Sequence, residues 1–217
     1  MRLSLIEKKV NKIVLQWNGK KHIPTIIRQL NREFKRTLVC FTSERFDQPY
    51  FKEHNVIVSA HYCGRISNII PEHIMISLNF PKRVKKITFT KISIQNLALK
   101  IIRAIHHEYR HKHQQRKRPL VLQKPYIPKP KQNKFKATYY GNPDEIDAHA
   151  YETQAEKLDI NKLRKAHKIG WEESEAIYMY RMHFRRQDPK VWKRFLKKVY
   201  SNNGNIIANN DKRRIFF

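Results

Sequence analysis

Apolar positions in this chain recur first at a helical period, then at an extended one, then at a helical one again. Leu5, Ile6, Val10, Ile13, Val14 and Trp17 follow the capping-box pair Ser4 and Glu7 at helical spacing, and Gly19 closes the run. This predicts a first amphipathic helix. Pro24 and Thr25 open a second, with Ile26, Ile27, Leu30 and Phe34 turned inward.

Three short runs rich in Val, Ile and aromatic residues follow at 37–42, 55–62 and 74–80. In the last, Ile74, Ile76, Leu78 and Phe80 alternate with Met75, Ser77 and Asn79 between Pro71 and Pro81, the period of a strand. Residues 86–90 form a fourth short strand or an entry turn. From about Ser93 the helical period returns, and Ile94, Leu97, Ala98, Ile101 and Ile105 make one stripe running into Glu108 and Tyr109. Strands grouped between helices predict an α+β fold with a small mixed or antiparallel sheet.

Pro119, Pro125, Pro128 and Pro130, interleaved with lysines, deny helix to residues 119–136 and predict an extended basic loop, in which Tyr126 and Phe135 are available for stacking. Asn142 or Asp144 then caps a helix carrying Glu145, Asp147, Ala148, His149 and Glu152. A helix from Trp171 through Arg186 follows. After Asp188 and Pro189 comes another, with Val191, Trp192, Phe195, Leu196 and Val199 on its apolar face and Lys190, Lys193, Arg194, Lys197 and Lys198 opposite. The Asn-rich end, 201–211, predicts no fixed element. The expected organisation is N-terminal helices over 1–36, a core over 37–160 and a basic helical extension over 161–217.

Charge changes the picture more than composition does. The 217 residues carry 46 Lys and Arg against 18 Asp and Glu, a formal net charge of +28. Such a surface repels itself until polyanions neutralise it, so nucleic acid is the expected partner. The expected contacts are Lys112, Arg116, Lys117, Arg118, Lys129, Lys131, Lys193, Arg194 and Lys197. An apolar content of 40% with 11% aromatics fits a folded protein. No apolar run is long enough to span a bilayer, and the N-terminal stretch lacks the apolar core of a signal peptide. The expectation is therefore a cytoplasm-like compartment, with no membrane partner. Cys40 and Cys63 show no metal-binding or disulfide spacing and read as small core residues.

The chemistry concentrates at His107-Glu108-Tyr109-Arg110-His111, an H-E-x-x-H. Helical residues four apart lie on one face, so His107 and His111 can address a common metal ion, with Glu108 placed to take a proton from a water there. With 11 histidines in the chain this pattern can arise by chance, so context decides. Downstream, Glu145, Ala148, His149 and Glu152 fall at i, i+3, i+4 and i+7, an odd face for a core because it has three ionisable groups. It makes sense packed on the metal helix, with Ala148 permitting close approach, Glu145 as third ligand, and His149 or Glu152 hydrogen-bonded to the ligands. Asp147 lies on the same helix. Tyr139, Tyr140 and Tyr151 are candidates to stabilise an oxyanion.

The pairing of His107-Glu108-x-x-His111 with Glu145-x-x-Ala148 resembles the gluzincin-type zinc metallopeptidases, and residues 142–152 are similar to a segment of small phage-encoded zincin-like proteins. The resemblance covers about residues 93–152. It implies a zincin-like core, Zn2+ held by His107, His111 and Glu145, Glu108 as general base, and a protein substrate. Arg110 departs from the family, whose motif carries an uncharged residue there. SprT-like proteases, which act on DNA-bound proteins, are a weaker match, since they take a histidine as third ligand; that pattern implies His149 in the role and Glu145 behind it. The alternative expectation is a non-enzymatic basic protein of a nucleic-acid or virion assembly, with a structural or lost metal.

Overall fold

A computed structural model of the chain describes residues 3–14, 16–35, 37–46, 56–64, 72–82, 84–117, 134–153 and 175–203. The architecture is α+β, in two compact units, Met1–His113 and Gln114–Phe217. The expected contacts Arg118, Lys129 and Lys131, the loop residues Tyr126 and 119–133, Trp171 and the Asn-rich end beyond 203 lie outside the described residues. Among the described residues, no helix is long and apolar enough to cross a membrane.

The first unit opens with helices α1 (Leu3–Val14) and α2 (Ile23–Phe34), where the apolar period placed them. Between them lies a strand that no apolar pattern announces, β1 (Gly19–His22). After α1 ends, Gly19 adopts φ 83°, a left-handed conformation suited to glycine, and leads the chain into β1 instead of merely ending the helix. Trp17, between the two, is buried and donates its indole N–H to Gln29 Oε1 at 2.8 Å.

The runs at 37–42, 55–62 and 74–80 are strands β2 (Val39–Phe46), β3 (Ile57–Cys63) and β4 (His73–Pro81), in spatial order β2-β4-β3. β4 is the centre, parallel to β2 and antiparallel to β3, so the sheet is mixed. Ile74, Ile76, Leu78 and Phe80 of β4 are all buried. Ser77 is buried too, and its hydroxyl lies 2.8 Å from that of Thr42, its register partner on β2. The outer edge of β2 is closed by a side chain: Asn31 of α2 donates to the Phe41 carbonyl at 2.7 Å and accepts from the Phe41 N–H at 2.8 Å. The stretch at 86–90 is a strand, β5 (Lys86–Phe89), antiparallel to β1 in a separate two-stranded ribbon.

Helix α3 (Lys91–Lys117) starts just before the expected Ser93, because Thr90 and Ser93 cap each other reciprocally: the Thr90 N–H donates to Ser93 Oγ at 2.8 Å and the Ser93 N–H to Thr90 Oγ1 at 3.2 Å. Its stripe of Ile94, Leu97, Ala98, Ile101 and Ile105 is buried, joined by Leu99 and Ile102. At about 0.8 kcal/mol per buried methylene, this stripe holds the middle of α3 firmly inside its unit.

In the second unit, helix α4 (Lys134–Gly141) takes over residues 134–136, which the sequence placed in the extended loop. The last proline of that stretch is Pro130, and nothing after it opposes a helix. Helix α5 covers 143–153, and Asn142 caps it by accepting the Asp144 N–H at 2.9 Å. Helices α6 (Glu175–Phe184) and α7 (Pro189–Asn203) follow as an αα-hairpin. Their core holds Ala137, Ile146, Ala150, Ile177, Tyr180 and Phe195 among others, with the Tyr180 and Phe195 rings stacked at 3.9 Å.

Candidate metal centre

In the first unit the geometry begins with α3. His107 is buried and His111 half-buried, and their Nε2 atoms lie 3.0 Å apart with the rings tilted by 75°. The i, i+4 spacing produces this directly, since both side chains rise from the same face. Two imidazole nitrogens bound to one tetrahedral zinc at about 2.0–2.1 Å would stand about 3.3 Å apart. The pair is thus within a few tenths of an ångström of a shared-ligand geometry. Glu108, between them in sequence, is buried as well.

Neighbouring residues on α3 are engaged in other ways. His106 Nε2 lies 2.9 Å from Glu7 of α1, which ties the two helices together. Lys112 is buried, its ammonium 2.8 Å from Glu72 Oε1, while the Tyr62 hydroxyl donates to Glu72 Oε2 at 2.8 Å. A lysine placed like this is a structural cation, not a surface contact for a polyanion. Arg116 and Lys117, in the last turn, are exposed.

In the second unit, α5 presents Glu145, His149 and Glu152 along one face. His149 Nδ1 lies 3.2 Å from Glu152 Oε1, while its Nε2 is 3.9 Å from Glu145 Oε2, an ion-pair distance too long for a hydrogen bond. A carboxylate at Nδ1 fixes the ring and favours a proton there, which makes Nε2 the basic nitrogen. Ala148, on the same face, is fully buried. Asp147 points elsewhere: its Oδ2 accepts from Gln114 Nε2 at 3.2 Å and its Oδ1 lies 3.4 Å from Lys198 Nζ. Gln114 also donates to the Asp144 carbonyl at 3.0 Å, so Asp147 serves to position α5.

Aromatic rings surround His149, with Tyr140 at 5.1 Å, Tyr180 at 5.7 Å and Tyr139 at 6.0 Å between centroids. Tyr180 is fully buried and donates to the Tyr140 carbonyl at 2.8 Å. Burial, and then the negative charges of Glu145 and Glu152, push its phenol well above the ordinary range. It is therefore a neutral donor with a fixed partner. Of the oxyanion candidates, Tyr139 is exposed and Tyr140 half-buried, stacked on His183 at 6.0 Å. Burial, then the charge of Lys136, lowers the pKa of His183.

Among the described residues, the first unit offers the His107 and His111 imidazoles and the second the His149 imidazole with the Glu145 and Glu152 carboxylates as groups that could help to hold a metal ion. Imidazole nitrogens with carboxylate oxygens suit zinc and its first-row neighbours better than calcium or magnesium, which prefer all-oxygen sets. Cys40 and Cys63 belong to neither group and are free thiols on β2 and β3. Burial raises the pKa of Cys40, with the nearby Cys63 thiol adding to it, and so disfavours a reactive thiolate.

Sequence reasoning overlooked Glu72, Gln114, Tyr180 and His183. Gln114 could have been found, since it lies seven residues after His107 on the same helical stripe. The other three acquire their neighbours only through tertiary structure. No family model, curated protein or solved structure matches the chain.

Proposed function

We propose that the protein is a zinc-dependent metallopeptidase with a zincin-like core that acts on or near nucleic acid. His107, His111 and Glu145 would hold the metal, and Glu108 would be the general base. The observation that carries this reading is the His107–His111 pair, with Nε2 atoms at 3.0 Å on a helix that also buries Glu108. When bound, zinc supplies a Lewis acid that brings the ionisation of water toward about pH 7. Glu108 would accept a proton from the attacking water and deliver it to the leaving amine. Glu152 holds the His149 ring. Arg116, Lys117, Lys193, Arg194 and Lys197, all exposed, support the nucleic-acid part of the reading together with the net charge of +28. That charge suits a nucleic-acid-rich compartment such as the cytoplasm or a virion interior.

The test is Glu108→Gln, assayed for zinc by elemental analysis and for cleavage of casein, free and DNA-bound proteins. Zinc retained with proteolysis abolished is expected. Unchanged proteolysis would remove the mechanism, and zinc retained after substitution of both His107 and His111 would remove the site. Stoichiometry in Glu145→Ala and His149→Ala identifies the third ligand.

A second reading is favoured by the number of candidate donors, since His107 and His111 on α3 and Glu145, His149 and Glu152 on α5 are more than three. Four protein ligands close a tetrahedral zinc and leave no position for water, as in structural sites. The protein would then be a basic nucleic-acid-binding or virion-associated component with its metal as a staple. Zinc at one equivalent without cleavage of any substrate would select this reading.

A further inference from the structure

We infer that the α6–α7 hairpin is a binding surface for single-stranded nucleic acid, with Tyr178 as a stacking platform. This deepens the nucleic-acid part of the proposed function and is independent of its metal-dependent part.

The hairpin turns a buried apolar face inward and a dense cationic face outward. Arg186, Lys190, Lys193, Arg194 and Lys197 are all exposed. The only acidic residue between Arg181 and Ser201 is Asp188, which is buried, so the outward face of that stretch carries no carboxylate of its own. Lys198 is the internal control: it sits beside the exposed stripe yet lies 3.4 Å from Asp147 and is used within the unit. On α7, Lys190, Lys193, Arg194 and Lys197 follow i, i+3, i+4 and i+7, one stripe with a cation every turn, about 5 Å apart.

Charge alone would suit any polyanion. What separates a single strand from a duplex is apolar surface that only unstacked bases can use. Tyr178 is 47% exposed and Met182, one turn on, 59% exposed. Both share a helical face with Arg185, and the Arg181 guanidinium lies 5.8 Å from the Tyr178 ring centroid. Exposed aromatic and thioether groups flanked by guanidinium cations form the surface on which splayed bases stack, whereas the bases of a duplex are already stacked on each other.

The experiment is fluorescence anisotropy with the full chain, a labelled oligo(dT) of about twenty nucleotides and a duplex of equal length, over a series of salt concentrations. Tyr178→Ala is expected to weaken oligo(dT) binding about tenfold and duplex binding less than about twofold. The triple substitution K193Q/R194Q/K197Q should reduce the salt slope on oligo(dT) by about 2, since each phosphate left without its cation lowers the slope by about 0.7. These positions are exposed, and an unchanged circular-dichroism spectrum checks that the variants fold. Equal losses on both oligonucleotides, an unchanged slope in the triple variant, or tighter binding to phosphatidylserine vesicles than to oligo(dT) at the same salt would each overturn the inference. Glu108→Gln should bind oligo(dT) like the wild type, so failure of the peptidase reading and failure of this surface appear in different assays.

Discussion

Lys112→Met measures whether this cation belongs to the fold or to a polyanion surface. The substitution keeps most of the stem and removes the ammonium that lies 2.8 Å from Glu72, in a pair whose side chains are 7% and 20% exposed. Removing one partner of a buried pair costs about 3–5 kcal/mol. Glu72 retains some solvent and still accepts from Tyr62 at 2.8 Å, so the cost falls to about 2 kcal/mol. For a chain of this length, that lowers Tm by about 4–8 °C. Thermal unfolding followed by circular dichroism, on Lys112→Met, Glu72→Gln and the double variant, gives the coupling directly; most of the loss should vanish once Glu72 is neutral. A Lys112→Met protein as stable as the wild type, with its salt slope for DNA binding reduced by about 0.9, would refute the reasoning and return Lys112 to the surface.

Two further predictions concern pH. Tyr180 has its pKa raised above 10.0 in the fold, so its stabilising contribution is complete below pH 10 and is lost as pH rises beyond it. Phenolate absorbance should show one tyrosine ionising only with unfolding, a component absent in Tyr180→Phe; ionisation of all tyrosines before unfolding would contradict this. His183 is lowered from 6.5, so its contribution is present above pH 6.5 and is lost as pH falls further, and His183→Gln should flatten the acid limb of the stability curve. An acid limb of unchanged slope would contradict it.

The parts of the fold that are legible in the sequence are those in which burial imposes a period. The stripe from Ile94 to Ile105 and the alternation from Ile74 to Phe80 each show one side of an element facing the core, and both can be read directly. β1 has no such side: Gly19, Lys20, Lys21 and His22 alternate only between half-buried and exposed, and what makes them a strand is the distant partner β5. The basic run at 112–118 illustrates the converse limit. Lys112 and Arg116 are equivalent as charges in a sequence, but Glu72 singles out Lys112 for burial, and Glu72 is a separate event 40 residues upstream. Within the candidate site, the i, i+4 histidines are legible because helical geometry alone brings them together. The positioning role of Asp147 is not, since it depends on Gln114 and Lys198.

The pairing of β1 with β5 bears on how the chain reaches its structure. Gly19 meets Phe89 across about 70 intervening positions, whereas α6 and α7 are joined by a short turn with Asp188 at the start of α7. Closing a loop that long loses chain entropy before any contact compensates for it, while a local helical hairpin forms almost as soon as its residues are available. The second unit should therefore acquire protected amides early in refolding. The ribbon that ties α1 and α2 to the start of the histidine helix would then be a late, rate-limiting closure, and slowing it would delay any metal site that uses His107 and His111.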